Sequence, residues 1–192
     1  MRIRKKDPIQ YIYKVNPESQ AVMIEISLDS YDELFNGWDA SPLKMRDLEP
    51  ELMAYILEAL FEISFRQTVE LWCYIPVSLI DLEKERKSIQ SIRNNFNTQI
   101  RFIERNLFSN YRKIVAYIAL SIVFLLAAYF IPSLVRQQLT FSIIIEGLFI
   151  GGWVLLWEAF SLFFFASYDL RKKRKRFIKL LSSNIYFHPN NL

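Results

Sequence analysis

The chain has 192 residues, of which 52% are hydrophobic, 16% aromatic and 23% charged, with a formal net charge of +4. Residues 1–113 hold 16 Lys/Arg against 17 Asp/Glu, whereas residues 169–192 hold 7 against 1, so the basicity sits in the tail. Duplex binding wants a distributed basic footprint, so nucleic acid is not expected as a partner, and the single cysteine, Cys73, excludes an intrachain disulfide framework and a cysteine-based zinc site.

The opening "MRIRKKDPIQYIYK" starts basic but meets Asp-Pro and polar residues instead of an apolar core, so it does not read as a secretory leader. The amino terminus is therefore expected in the cytoplasm. Residues 9–28 predict a β-hairpin: Tyr11, Tyr13 and Val15 alternate with polar positions, "NPESQ" supplies turn chemistry, and Val22, Ile24, Ile26 and Leu28 alternate in turn. Ser30 and Glu33 fit a capping box for a short helix ended by Gly37, and Ser41-Pro42 can start another turn. A helix is expected over residues 49–63, with Pro50 in its first turn and Leu52, Ile56, Leu60 and Ile63 on one face. The third strand is "TVELWCYIPVSL", with Val69, Leu71, Cys73 and Ile75 facing the core and Pro76 ending it or marking an edge.

From Asp81 a long amphipathic helix is predicted to run into an apolar span. Its seam of Ile89, Ile92, Phe96, Ile100, Ile103, Leu107, Tyr111 and Ile114 is spaced 3-4-4-3-4-4-3, an 11-residue repeat that needs a packing partner, expected to be its own sheet near the start and other helices near the membrane. Ile89 to Leu107 in this series are candidate assembly residues. Residues 114–135 form an uncharged run of 22, long enough for a hydrocarbon core of about 30 Å at about 1.5 Å per residue. A second apolar stretch covers residues 139–168. Arg112 and Lys113 precede the first span, "RKKRKR" (Arg171, Lys172, Lys173, Arg174, Lys175, Arg176) follows the second, and only Arg136 lies between. The positive-inside rule then predicts a hairpin with both termini cytoplasmic, and assigns the basic run to topology and lipid headgroups.

The second span carries Glu146 and Glu158, whose 12-residue separation puts them about 18 Å apart along the axis and roughly 120° apart around it. They are not a paired acid and base. An intramembrane carboxylate costs several kcal/mol when ionised, so both are candidate polar sites. Gly147 and Gly151 form a GxxxG, Gly152 thins the same region, and Trp153 and Trp157 make an aromatic ridge; together these predict close helix packing.

The fold expected is thus an α+β cytoplasmic domain (β-β-α-β-α, residues 1–80), a long helix (81–113), a transmembrane hairpin (114–135 and 139–168) and a basic tail (169–192). In that tail "NIYF", residues 184–187, is β-prone and could add a strand to the sheet. The acidic stretch around Trp38 (Asp29, Asp32, Glu33, Asp39, Asp47, Glu49, Glu51) lacks calcium-loop spacing, and no phosphate loop, nucleophile elbow or HExxH is present. His188, the sole histidine, is read as a solvated tail residue. No catalytic residue, cofactor or metal site is expected.

The blocks "SYDELFNGWDASPLKMRDLEPEL", "EGLFIGGWVLLW" and "YDLRKKRKR" resemble a family of small bacterial two-span membrane proteins to which no activity is attached. The marks are Phe35, Trp38, Asp39, Ser41 and Pro42, then Gly152, Trp153, Trp157, Tyr168 and Asp169; this chain has Glu158-Ala159 and Leu170 where that family often has Arg-Pro and Trp-Trp-Pro. The resemblance implies bacterial origin and the same topology. The expected role is a non-enzymatic inner-membrane protein that forms homo-oligomers or binds a cytoplasmic protein partner. The alternative is an oligomeric pore or channel, such as a membrane effector of defence or stress.

Overall fold

The computed structural model describes residues 12–134 and 139–190. Two compact units result: Met1–Arg101 with Lys175–Leu192, and Phe102–Arg174.

The first unit is built on a three-stranded sheet of β1 (Val22–Ser27), β2 (Val69–Pro76) and β3 (Asn184–Asn190), in the order β1-β2-β3. Both pairings are parallel, with Val22 opposite Val69 and Glu70 opposite Asn184. Parallel neighbours need a crossover. Helix α1 (Pro50–Glu62) supplies it between β1 and β2, and all the helical chain from α2 (Leu82–Leu134) to α4 (Ser167–Leu181) lies between β2 and β3. Period-2 alternation sets the faces. Leu71, Cys73 and Ile75 of β2 are buried with Ile24 and Ile26 of β1 and Ile185 of β3, under Ile56 and Leu60 of α1, Ile92 and Phe96 of α2, and Phe177 and Leu180 of α4. Each such apolar side chain contributes about 1.5–3 kcal/mol by leaving water.

The expected β-β-α-β-α order differs from the observed β-α-β-α-α-α-β. Residues 9–11 of the anticipated hairpin lie outside the described residues. The turn itself forms: Gln20 takes φ 57, and the Asn16 N–H donates to the Ala21 carbonyl at 2.9 Å. It leads to one antiparallel bridge, Val15 opposite Val22, and not to a strand. Tyr13, an expected strand residue, instead donates its hydroxyl to Glu62 on α1 at 2.7 Å. The capping box also resolves otherwise. Tyr31–Leu34 is a 3-10 turn, Ser30 makes no capping bond, and Glu33 accepts from the Asp29 N–H at 2.8 Å.

Helix α2 runs 53 residues, about 80 Å at 1.5 Å per residue. Asp81 caps its start by accepting from the N–H groups of Glu83 and Lys84. The predicted seam is closed inside the folded chain except at Tyr111, which is exposed. Ile92, Phe96, Ile100, Ile103 and Leu107 are all buried and Ile89 is half-buried, so the partner the repeat demanded is intramolecular.

The second unit holds the rest of α2, α3 (Leu139–Ser161), a π-helical turn (Leu162–Ala166) and the first half of α4. Ser121 meets Gly152, Tyr111 meets Arg171, and Glu104 meets Arg174. Earlier residues meet later ones, the order of contacts between helices running in opposite directions. Two helices are long and apolar enough to cross a membrane, and only 17% and 11% of their most apolar windows are buried. A core helix of a water-soluble protein would bury most of that surface.

Candidate functional site

Two small residues bring α2 and α3 together. The Ser121 hydroxyl donates to the Gly152 carbonyl at 2.7 Å, a bond closed off from solvent. A Cβ on Gly152 would stand 2.8 Å from Leu125 Cγ, and one on Gly151 would stand 3.2 Å from the Phe124 ring. These two glycines therefore carry the close approach. A Cβ on Gly147, the first glycine of the GxxxG, would meet nothing within 4 Å, so Gly147 takes no part in that contact. Gly147 lies only about 40° around the helix from Gly151 and so shares its face; the close contact with α2 is local to Gly151 and Gly152 and does not extend one turn earlier.

Glu146 is exposed and lies beside Gly147. With Leu125, Tyr129, Ile145, Phe149 and Trp153, it lines a groove of about 560 Å³ whose walls are otherwise apolar. Trp153 and Trp157 are 55% and 73% exposed: Trp153 lines this groove, and Trp157 leaves most of its surface uncovered. Glu158 is exposed as well and does not share the groove with Glu146.

The basic run is less free than its sequence implies. In the second unit, Arg171 donates to the Tyr111 hydroxyl at 3.1 Å, Lys172 sits 4.4 Å from the Tyr168 ring centre, and Arg174 pairs with Glu104 at 2.7 Å. In the first unit, Arg176 is buried, 3.6 Å from the Phe61 ring centre, and Lys179 donates to the Ser64 carbonyl at 2.9 Å. Burial lowers the pKa of both Arg176 and Lys179, and Arg176 lowers that of Lys179 further. Lys173 and Lys175 remain exposed.

Across the core from α1, the other sheet face carries Glu25, Glu70, Trp72, Tyr74, Tyr186 and His188 in register. His188 is not a solvated tail residue. Its ring stacks on Trp72 at 4.2 Å, with 8° between the planes. Glu70 is only 2% exposed and accepts from Asn16 Nδ2 at 2.9 Å and Trp72 Nε1 at 3.0 Å. Burial pushes its pKa up, but the bonds from Asn16, Trp72 and Ser19 outweigh that and hold it below the ordinary glutamate range. Sequence reasoning missed this charge, and Glu70 within a strand otherwise apolar on both sides was the available sign of it.

The acidic stretch serves loop geometry. Asp39 accepts from the Ser41 and Asp47 N–H groups at 2.9 and 2.7 Å, and Asp32 lies 3.6 Å from Arg46. Hydrogen bonding from Asp47, then from Ser41, lowers the Asp39 pKa. Trp38 stands on this stapled loop at 94% exposure. Among the described residues, no group of three or more His, Cys, Asp or Glu side chains is placed to hold a metal ion.

No protein-family model matches this chain, and neither a curated protein nor a solved structure does.

Proposed function

We propose that the chain is a non-enzymatic protein of a bacterial inner membrane, spanning it as a two-helix hairpin with both termini cytoplasmic, and that it self-assembles through the exposed face of α3. One observation carries the reading: Glu146 and Gly147 are left uncovered by their own chain, in a helix of membrane-spanning length. A carboxylate facing lipid is costly, and a bare glycine beside it lets another backbone approach closely. A second copy would satisfy both. The topology has separate support from the sheet. Since β2 and β3 are neighbours, the apolar chain between them must return to the side it left, which requires an even number of crossings. The soluble unit offers a protein partner Trp38, a large exposed aromatic on a fixed loop of the kind that anchors interfaces.

Cysteine cross-linking tests the assembly. In membranes, Gly147→Cys should give a covalent dimer under mild oxidation, while buried Cys73 stays silent. A monomer in that variant, with reporter fusions still placing Arg105 and Arg176 in the cytoplasm and Arg136 outside, would remove self-assembly and leave the topology standing.

The second reading is an oligomeric pore, favoured by Glu146 being the sole ionisable group on the groove wall apart from the Tyr129 phenol. On that reading expression depolarises cells, Glu146→Leu abolishes the effect with the oligomer intact, and Glu146→Gln retains assembly. An effect on assembly alone would assign Glu146 to packing.

A further inference from the structure

The cations of α2 and α4 differ in what they touch within the second unit. On α4, Arg171, Lys172 and Arg174 are engaged by Tyr111, the Tyr168 ring and Glu104. On α2, Arg105, Arg112 and Lys113 are exposed, and among the described residues none has a carboxylate, carbonyl or ring partner. Arg105 and Arg112, seven apart, lie about 20° from each other around the helix, and Lys113 flanks them about 80° from Arg105. With Phe108, Ser109 and Ala116 they line a shallow groove of about 530 Å³. Phe108 is 66% exposed, an apolar surface standing among cations. The uncharged run begins at Ile114, immediately after Lys113.

We propose that this α2 groove, and not the "RKKRKR" run, is the site that binds the phosphate of an anionic phospholipid. The inference rests on the membrane reading above. A guanidinium presents a planar fork that matches two phosphate oxygens, and two such forks with an ammonium leave excess positive charge that a zwitterionic headgroup does not neutralise. Ser109 adds a hydroxyl donor. Phe108 and Ala116 give an acyl chain a surface continuous with the span below. An unengaged cation has its whole field available to a ligand, whereas one already paired with Glu104 or seated on a ring must first give up that contact. On α4, Arg171, Lys172 and Arg174 therefore hold the helix to its neighbours, the exposed Lys173 and Lys175 do not line the groove, and the lipid contact lies on α2.

The test uses the full chain extracted in detergent, with phosphatidylglycerol, phosphatidylcholine or inorganic phosphate as probes, and native mass spectrometry to count bound lipid. The parent should retain phosphatidylglycerol in preference to phosphatidylcholine. R105Q/R112Q/K113Q should weaken phosphatidylglycerol binding by roughly fivefold per charge, on the order of 100-fold in total. The charge-matched K172Q/K173Q/K175Q variant should bind within about twofold of the parent, the spread of a surface change away from the site. Equal losses in both triples would overturn the site in favour of diffuse attraction, and no loss in the first would overturn it outright. If the first triple fails to fold, Arg112→Gln alone should still show its fivefold share. Displacement of lipid by inorganic phosphate at equal concentration would assign the groove to a soluble phosphate instead. Recovery of the parent from the soluble fraction without detergent would overturn the membrane reading itself, before any lipid is added.

Discussion

Glu70 stays charged inside the sheet because Asn16, Trp72 and Ser19 replace the water it lost. Its folded pKa lies below the ordinary glutamate value of 4.5, so its contribution is fully present above that value and is lost as the pH falls through the folded pKa. Glu70→Gln should cost about 1–3 kcal/mol near neutrality, the range for disturbing a buried charged hydrogen-bond group. Unfolding of parent and variant followed against pH should show that difference shrinking as the medium is acidified below 4.5. A constant difference at all pH values would mean that the bonds, and not the charge, carry the effect. Cys73 makes a second residue-scale case. It is fully buried, and burial pushes its thiol pKa up to about 12. A maleimide at about pH 8 should leave it unmodified in the folded chain and label it on unfolding, since the thiolate is the reactive form. The core place of Cys73 was legible from β2's alternation. The Asn16 partner of Glu70 was not, because it is 54 positions away along the chain.

The helices show how contact depends on position along the helix as well as composition. Gly152→Ala would push a methyl against Leu125 and Ser121, and overpacking of this kind costs about 1–3 kcal/mol. Within one chain Gly147→Ala meets open space, so in the dissociated monomer it should change stability by less than about 0.5 kcal/mol, as surface substitutions do. Ser121→Ala removes the hydroxyl bound to Gly152 and should cost about 0.6 kcal/mol, an average for such bonds between membrane helices. Denaturation in detergent ranks the three, and a Gly147→Ala as damaging as Gly152→Ala would contradict the observed packing. The GxxxG pattern thus located the right helix and only one of its contact glycines. The seam of α2 was legible as a repeat, with Ile92, Phe96 and Leu107 in phase. Its own sheet near the start and other helices near the membrane were the expected cover. The particular side chains, such as Phe177 against Phe96, were not legible, because a repeat states that a face needs covering and leaves the exact partners to long-range folding.

At the scale of the molecule, the elements that finish the sheet come from far apart in the sequence. The β-prone "NIYF" was visible as a short run, and the structure extends it to Asn184–Asn190, with Ile185 buried and Pro189 tolerated at the sheet edge. Parallel pairing with β2 was not visible, since alternation fixes faces and carries no information on a neighbour's direction. The hairpin expected near the start failed for a related reason: "NPESQ" specifies a turn, and a turn alone does not commit the flanking chain to a ladder. Deleting residues 184–192 should expose a whole edge of β2 and strip Ile185 from the core. Thermal unfolding of the truncated chain should begin well below the parent's, with aggregation following from the bared edge. An unchanged midpoint would mean that β3 is an ornament on the sheet.

Synthesis gives that pairing a clock. Glu70 and Asn184 face each other across β2 and β3 but are made 114 residues apart, and the apolar helices come between them. At about 5–20 residues per second, one edge of β2 waits roughly 6–23 s for its neighbour. Through that interval residues 22–76 form an unfinished sheet, open to any strand that passes. Protease digestion of ribosome-held chains of increasing length should find this segment cleavable until Asn190 has emerged, then protected in a single step. On the proposed topology, the soluble unit can finish folding only after both spans have been threaded, so its completion reports that insertion succeeded.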